Sequence, residues 1–208
     1  MLFSRPGRCR CWGWAVDSLH AMPSGPAHKK CFAHDRSQDH GKEEWLTPPD
    51  LVNLLGPFDL DPCSPVRRPW NTAAKHYTVL DDGLLQPWHG RVWLNPPYGA
   101  ETGKWLSKLV RHGDGVALVF ARTETAMFHK HIWPMADALL FLRGRLTFFN
   151  VDGTPGKCSA GAPSVLIAYG EGNTARLREV AHFGAFVMPM SLKSRAPSEL
   201  PLLGVGRG

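Results

Sequence analysis

The chain has 208 residues, enough for one substantial hydrophobic core and too few for two full domains of ordinary size. Its 24 Lys and Arg against 18 Asp and Glu leave a formal charge of +6, which suits a polyanionic partner such as nucleic acid. The cysteines, Cys9, Cys11, Cys31, Cys63 and Cys158, follow no framework spacing and argue for a reducing compartment, and no apolar run approaches the roughly 18 residues of a membrane span.

The stretch from Met1 to Lys30 holds Arg and Trp but no continuous apolar segment, unlike a secretory signal. Residues 1–42 read as a basic, disordered extension, whose first 21, ahead of Met22, form a leader or follow from a start placed too far upstream. Cys9, Cys11, Cys31 and His34 lack the regular paired spacing of a structural zinc site, and no metal is expected. A single domain is predicted over residues 43–190, followed by a Pro-, Gly- and Ser-rich flexible tail over 191–208.

Within the domain, "TPPDLVNLLG" places Thr47 as an N-cap, Pro48 at the first helical position, and Leu51, Leu54 and Leu55 on one face before Gly56. "FDLDP" and "RVWLNPP" read as strands that end in polar residues followed by proline. "TGKWLSKLVRH" carries Trp105, Leu106, Leu109 and Val110 at helical spacing, and "GVALVFA" is an apolar run of the kind found in buried strands. "TAMFHKHIWPMA" predicts a short helix, "ADALLFLRGRLTFF" a strand or hairpin arm, "PSVLIAYG" a buried strand, "NTARLREVA" a helix and "FGAFVMP" a closing strand. Between the hairpin arm and the buried strand, "NVDGTPGKCSAGAP" has the Gly and Pro content of an exposed, mobile connection. This alternation predicts an α/β fold with a doubly wound, mostly parallel sheet, in which ligands bind outside the carboxyl ends of the strands. That rule puts Asp59, Asp61 and Asn95 on one rim.

The strand Val92–Leu94 runs directly into Asn95-Pro96-Pro97-Tyr98. Neither proline can donate to a ladder and each fixes its own φ, so the chain leaves the sheet in a stiff, extended turn. An ordinary turn explains that much. The chemistry goes further, because the Asn95 side-chain oxygen and the Pro96 carbonyl are two acceptors able to converge on one amino group. Holding both hydrogens of an aniline-like NH2 releases a lone pair otherwise delocalised into the ring, and Tyr98 offers a flat face for a base to stack on.

"NPPYG" after an apolar strand, the upstream "WLTPPDLVNLLGPFDLDPC" and the downstream "FLRGRLTFF" together resemble the phage-type DNA adenine-N6 methyltransferases of the Dam class, from about Trp45 to Val187. The resemblance implies the Rossmann-like fold of S-adenosylmethionine-dependent methyltransferases, methyl transfer to a flipped adenine in double-stranded DNA, and a cytoplasmic enzyme encoded by a phage or prophage. Asn95, Pro96, Pro97 and Tyr98 would form the catalytic loop. Thr47 and Pro48 would wrap the methionine part of S-adenosylmethionine, Asp59 or Asp61 would meet its amino end, and Asp82 its adenine or ribose. One departure stands out: no glycine lies between Asp61 and Tyr77, where such strands usually run into a glycine-rich turn. Asp61 before proline and Asp81-Asp82-Gly83 are also ordinary turn compositions.

Asn-Pro-Pro-Tyr also occurs in methyltransferases acting on RNA and on protein glutamine, so it fixes the chemistry better than the substrate. A non-catalytic nucleic-acid binder with the same fold is the remaining alternative, resting on the absent glycine turn. For DNA contacts, Arg143 and Arg145 are two apart and would share a strand face, with Lys157, Arg67 and Arg68 as further phosphate ligands. His129 and His131 are spaced wrongly to share a helix face, Cys63 reads as a packing residue, Trp88, Trp93 and Trp105 as core, and Trp45 and Trp70 as lining for the cofactor. A monomer is expected.

Overall fold

The structure, a computed structural model, describes residues 44–189. The expectations for residues 1–42 and 191–208, including the cysteine and histidine set near the amino terminus, lie outside the described residues.

The first helix, α1 (Pro49–Leu55), begins one residue later than the sequence suggests. Pro48 takes the cap position at φ −49° and ψ 128°, and Pro49 occupies the first helical turn, where a missing N–H removes no intrahelical bond. Thr47 is therefore no N-cap, and its hydroxyl stays free of the helix. Leu51, Val52 and Leu55 are buried, and Gly56 closes the end with its N–H on the Val52 carbonyl at 2.8 Å.

Two short parallel strands follow, β1 (Leu60–Asp61) and β2 (Lys75–His76), the second with no periodic signal in the sequence. Then come β3 (Val92–Leu94), α2 (Thr102–His112), β4 (Gly115–Phe120), a π-helical turn at Phe128–Ile132 in place of the expected short helix, β5 (Ala138–Leu142), β6 (Ser164–Tyr169), α3 (Glu171–Glu179) and β7 (Gly184–Val187). The seven strands form one sheet in the order β2-β1-β3-β4-β6-β5-β7. Alternate residues of β3 and β4 serve two cores. Val92, Leu94, Ala117 and Val119 pack with Trp105, Leu106 and Leu109 of α2 and with Phe128 and Ile132, while Trp93, Val116 and Leu118 pack with α1 and with Leu177 of α3.

The α/β class holds, but the sheet is mixed rather than mostly parallel. β2, β1, β3 and β4 pair in parallel, whereas β4 with β6, β6 with β5 and β5 with β7 are antiparallel and supply most of the paired residues. An apolar run such as "SVLIAY" fits a buried strand in either direction. Its direction is set by the connection before it, which contains no helix to carry the chain across the sheet, so β6 returns antiparallel beside β5.

That connection is not loose. Leu46 and Phe149 exchange two backbone hydrogen bonds of 2.9 Å, Gly156 donates to the Phe148 carbonyl at 2.7 Å, and the Trp70 ring meets Phe149 edge-on at 5.4 Å. Gly153 packs against Pro69 and Trp70, and buried Gly156 lies against Trp45. The segment thus folds over residues 45–47 and 69–70.

Candidate functional site

Parallel pairing of β1 with β3 and of β3 with β4 brings three strand ends together at one rim. Asp61 ends β1, Asn95 follows β3 directly, and Phe120 ends β4.

Asp61 is 4 % exposed. Its Oδ1 accepts the Cys63 N–H at 3.1 Å and its Oδ2 accepts the Thr72 hydroxyl in a very short hydrogen bond. Burial pushes its carboxyl up to about 6, against the opposing pull of those two bonds and of the Arg68 charge. A carboxylate so placed is poised to gain from a cationic ligand. The Cys63 thiol, a free cysteine, donates to the Asn95 main-chain carbonyl at 3.1 Å, and burial followed by the Asp61 charge pushes it well above the ordinary thiol range.

The Asn95 amide is oriented by its Nδ2 donating to the Trp45 carbonyl at 3.5 Å, while its Oδ1 receives only a long 3.5 Å contact from the Tyr98 hydroxyl. That oxygen retains acceptor capacity for an incoming N–H. Thr102, at the start of α2, pins the loop by accepting the Gly99 N–H at 3.0 Å and donating to the Pro97 carbonyl at 2.8 Å. Pro96 is buried and Pro97 exposed. Tyr98 is 40 % exposed, and its ring lies over Phe120 with centroids 4.2 Å apart and planes within 9°. Desolvation at the ring's inner edge pushes its phenol above the ordinary value, and it remains a neutral O–H.

Beside this rim, Thr47 is 2 % exposed and its Oγ1 has no partner among the described residues. The same holds for the buried Trp70 Nε1 and Arg68 Nε. Each is a polar atom removed from water without compensation, a cost a ligand would relieve. Pro48 adjoins Thr47 as the α1 cap.

The expected residues do not all converge. Asp59 precedes β1 and its Oδ2 accepts the Arg91 N–H at 2.7 Å just ahead of β3, at the amino ends of these strands, so it is separated from Asp61 and Asn95 by the strands themselves. Asp82 is exposed at φ 51°, its Oδ1 accepting the Leu84 N–H at 3.2 Å, a local turn. Its neighbour Gly83 nonetheless packs so tightly on the Pro62 carbonyl that no Cβ would fit, which sets this turn against the end of β1. Here the close approach comes from a distant glycine instead of a glycine-rich turn after β1.

Arg143 and Arg145 do not share a strand face, because β5 ends at Leu142 and Gly144 turns the chain at φ 80°. Both are exposed, with Arg145 held to the Ala160 carbonyl at 3.0 Å, and Lys157 is exposed on the folded connection. Arg67 is exposed, whereas Arg68 turns inward, donating to the Pro65 carbonyl at 3.0 Å. Trp88, Trp93 and Trp105 pack in or against the cores. Among the described residues no group of His, Cys, Asp and Glu gathers as a metal cage, and no helix is long and apolar enough to cross a membrane.

Sequence reasoning missed Thr72, Thr102, Phe120 and the role of Cys63. Only Cys63 had a signal, its position directly after the strand-ending Asp61-Pro62. A family model described as DNA N-6-adenine-methyltransferase (Dam) matches residues 35–178, which take in this whole rim. No curated protein and no solved structure matches the chain.

Proposed function

The chain belongs to the DNA N-6-adenine-methyltransferase (Dam) family, and from that premise we propose that it methylates the exocyclic N6 of an adenine turned out of double-stranded DNA onto the Asn95–Tyr98 loop. The observation that carries this reading is the loop itself. An amide oxygen with spare acceptor capacity, a buried prolyl carbonyl segment and a half-open aromatic ring stand together at a strand end beside a buried carboxylate.

The residues fit S-adenosylmethionine. Asp61 is a buried carboxylate able to meet a cation, and Thr47 Oγ1 and Trp70 Nε1 are buried hydrogen-bonding atoms with no partner among the described residues. We assign Asp61, Thr47, Pro48 and Trp70 to hold the cofactor, with Asp82 reaching it from the turn packed on Pro62. When bound, S-adenosylmethionine supplies an electrophilic methyl group. Asp59, engaged with Arg91 at the far ends of the strands, has no part in this assignment.

At the acceptor, Asn95 Oδ1 and the Pro96 carbonyl each take one hydrogen of the amino group and draw its nitrogen toward a tetrahedral geometry, which localises the lone pair. Tyr98 stacks on the base and offsets part of the few kcal/mol lost on leaving the duplex. The methylated nitrogen sheds its extra proton to water along the same acceptors. A two-ring surface of Tyr98 over Phe120 suits a flat heteroaromatic base better than the linear amide of glutamine. Exposed Arg67, Arg143, Arg145 and Lys157 supply phosphate contacts in keeping with the +6 charge.

Sequencing genomic DNA from cells expressing the protein, with detection of modified bases, tests the proposal. N6-methyladenine at a defined site is expected. Unmodified adenine with methylated cytosine, RNA or protein would refute it.

A further inference from the structure

Tyr98 and Phe120 reach each other from different strands, one from the loop after β3 and the other from the last position of β4. The rings are near-parallel with centroids 4.2 Å apart, an offset stack of the kind aromatic pairs favour. Both partners are held from behind. The Thr102 hydroxyl fixes the Tyr98 loop at Pro97 and Gly99, and Phe120 is fixed by the β4–β6 ladder through its pairing with Ser164.

The spacing decides where a base can go. Stacked bases lie ~3.4 Å apart along a strand, so a base slipped between the two rings needs them roughly twice that distance apart. At 4.2 Å that gap is closed. Tyr98 is still 40 % exposed, so the stack on Phe120 covers only part of the residue. Resting on the proposed function, we infer that Phe120 is a positioning residue that backs Tyr98, so that the target base lands on the open face of a pre-stacked pair rather than in a cleft between two rings. The pair thereby contributes to selection of a planar base. Phe120 touches the base only through Tyr98.

The chain has three tyrosines, Tyr77, Tyr98 and Tyr169, so ring-labelled tyrosine gives a simple spectrum in which Tyr98 is identified by substitution. In the free protein the Phe120 ring current should hold the Tyr98 ring signals upfield, and Phe120→Leu, which keeps apolar volume without a ring, should release them. Adding a duplex that carries the methylated site should move wild-type Tyr98 further upfield as a second ring stacks on it. Phe120→Leu should lower kcat about tenfold or more while KM for the cofactor stays within about twofold, and Phe120→Trp should restore most of the rate. A Leu variant with wild-type kcat, or a wild-type Tyr98 signal that moves downfield on binding DNA because the pair opens, overturns the inference. If the Leu variant does not fold, the wild-type titration and the Trp variant still decide. Absence of adenine methylation by the wild-type protein would instead strike the proposed function, and the Tyr98 shift in the free protein would remain a separate test of the stack.

Discussion

The Cys63 thiol donates to the Asn95 main-chain carbonyl at 3.1 Å while its own N–H donates to Asp61 Oδ1 at 3.1 Å, so one residue ties the end of β1 to the end of β3. The carbonyl it grips belongs to the Asn95–Pro96 peptide, whose plane sets the direction of the acceptors that follow. Cys63→Ala should therefore reduce turnover by a factor of about five, the equivalent of one hydrogen bond worth roughly 1 kcal/mol, and leave cofactor affinity little changed. Cys63→Ser, which keeps a donor, should recover most of the rate. Steady-state kinetics beside calorimetry separates the two effects. Equal turnover in the Ala variant and the wild type would show that the bond does not position the loop.

Asp61 and His76 should make opposite contributions to stability in overlapping pH windows. Burial raises Asp61 from 3.8 to about 6, so its contribution is fully present below 3.8 and is lost as pH rises through about 6. Burial, then the Arg68 charge, lowers His76 from 6.5 to about 4, so its contribution is present above 6.5 and is lost as pH falls through about 4. The geometry agrees with a neutral ring, since His76 Nε2 accepts the N–H groups of Thr72 at 3.3 Å and Ala73 at 3.4 Å. Urea midpoints measured relative to wild type should fall for Asp61→Asn as pH drops from 6.5 to 4, and rise for His76→Gln over the same range. Parallel curves for the two variants would contradict the assignment. Cofactor affinity should also weaken below about pH 6 as Asp61 takes up a proton.

Arg143, Arg145 and Lys157 should act as phosphate contacts. Each Ala variant is expected to weaken DNA binding alike on all sequences and to reduce the slope of log affinity against log salt by about one. The pattern of methylated sites should be unchanged. A variant that loses affinity for one sequence and not for others would place that residue at a base edge instead.

How much of this was legible in the sequence follows from which signals are local. The Asn95–Tyr98 loop and the helix over Thr102–His112 could be read directly, because proline chemistry and apolar periodicity act within a few residues. The antiparallel half of the sheet could not, since burial alone does not tell the direction of "SVLIAY". Thr47 misled for a related reason: a Thr before two prolines fits a cap, yet the second proline took the first helical turn and left the hydroxyl buried beside the rim. Asp59 and Asp61, two residues apart, fall at opposite ends of a strand only two residues long. Contacts such as Tyr98 with Phe120, or Gly83 with Pro62, exist only once strands far apart in sequence are paired.

The most direct test compares wild type and Asn95→Ala for tritiated methyl transfer to DNA, digesting the product to nucleosides and measuring S-adenosylmethionine binding by calorimetry in parallel. The account predicts label in N6-methyladenosine for the wild type, loss of that label by about a hundredfold or more in the variant, and cofactor affinity within a few-fold of wild type, because Asn95 acts on the amino group of the base. Label incorporated by Asn95→Ala at the wild-type rate would contradict it.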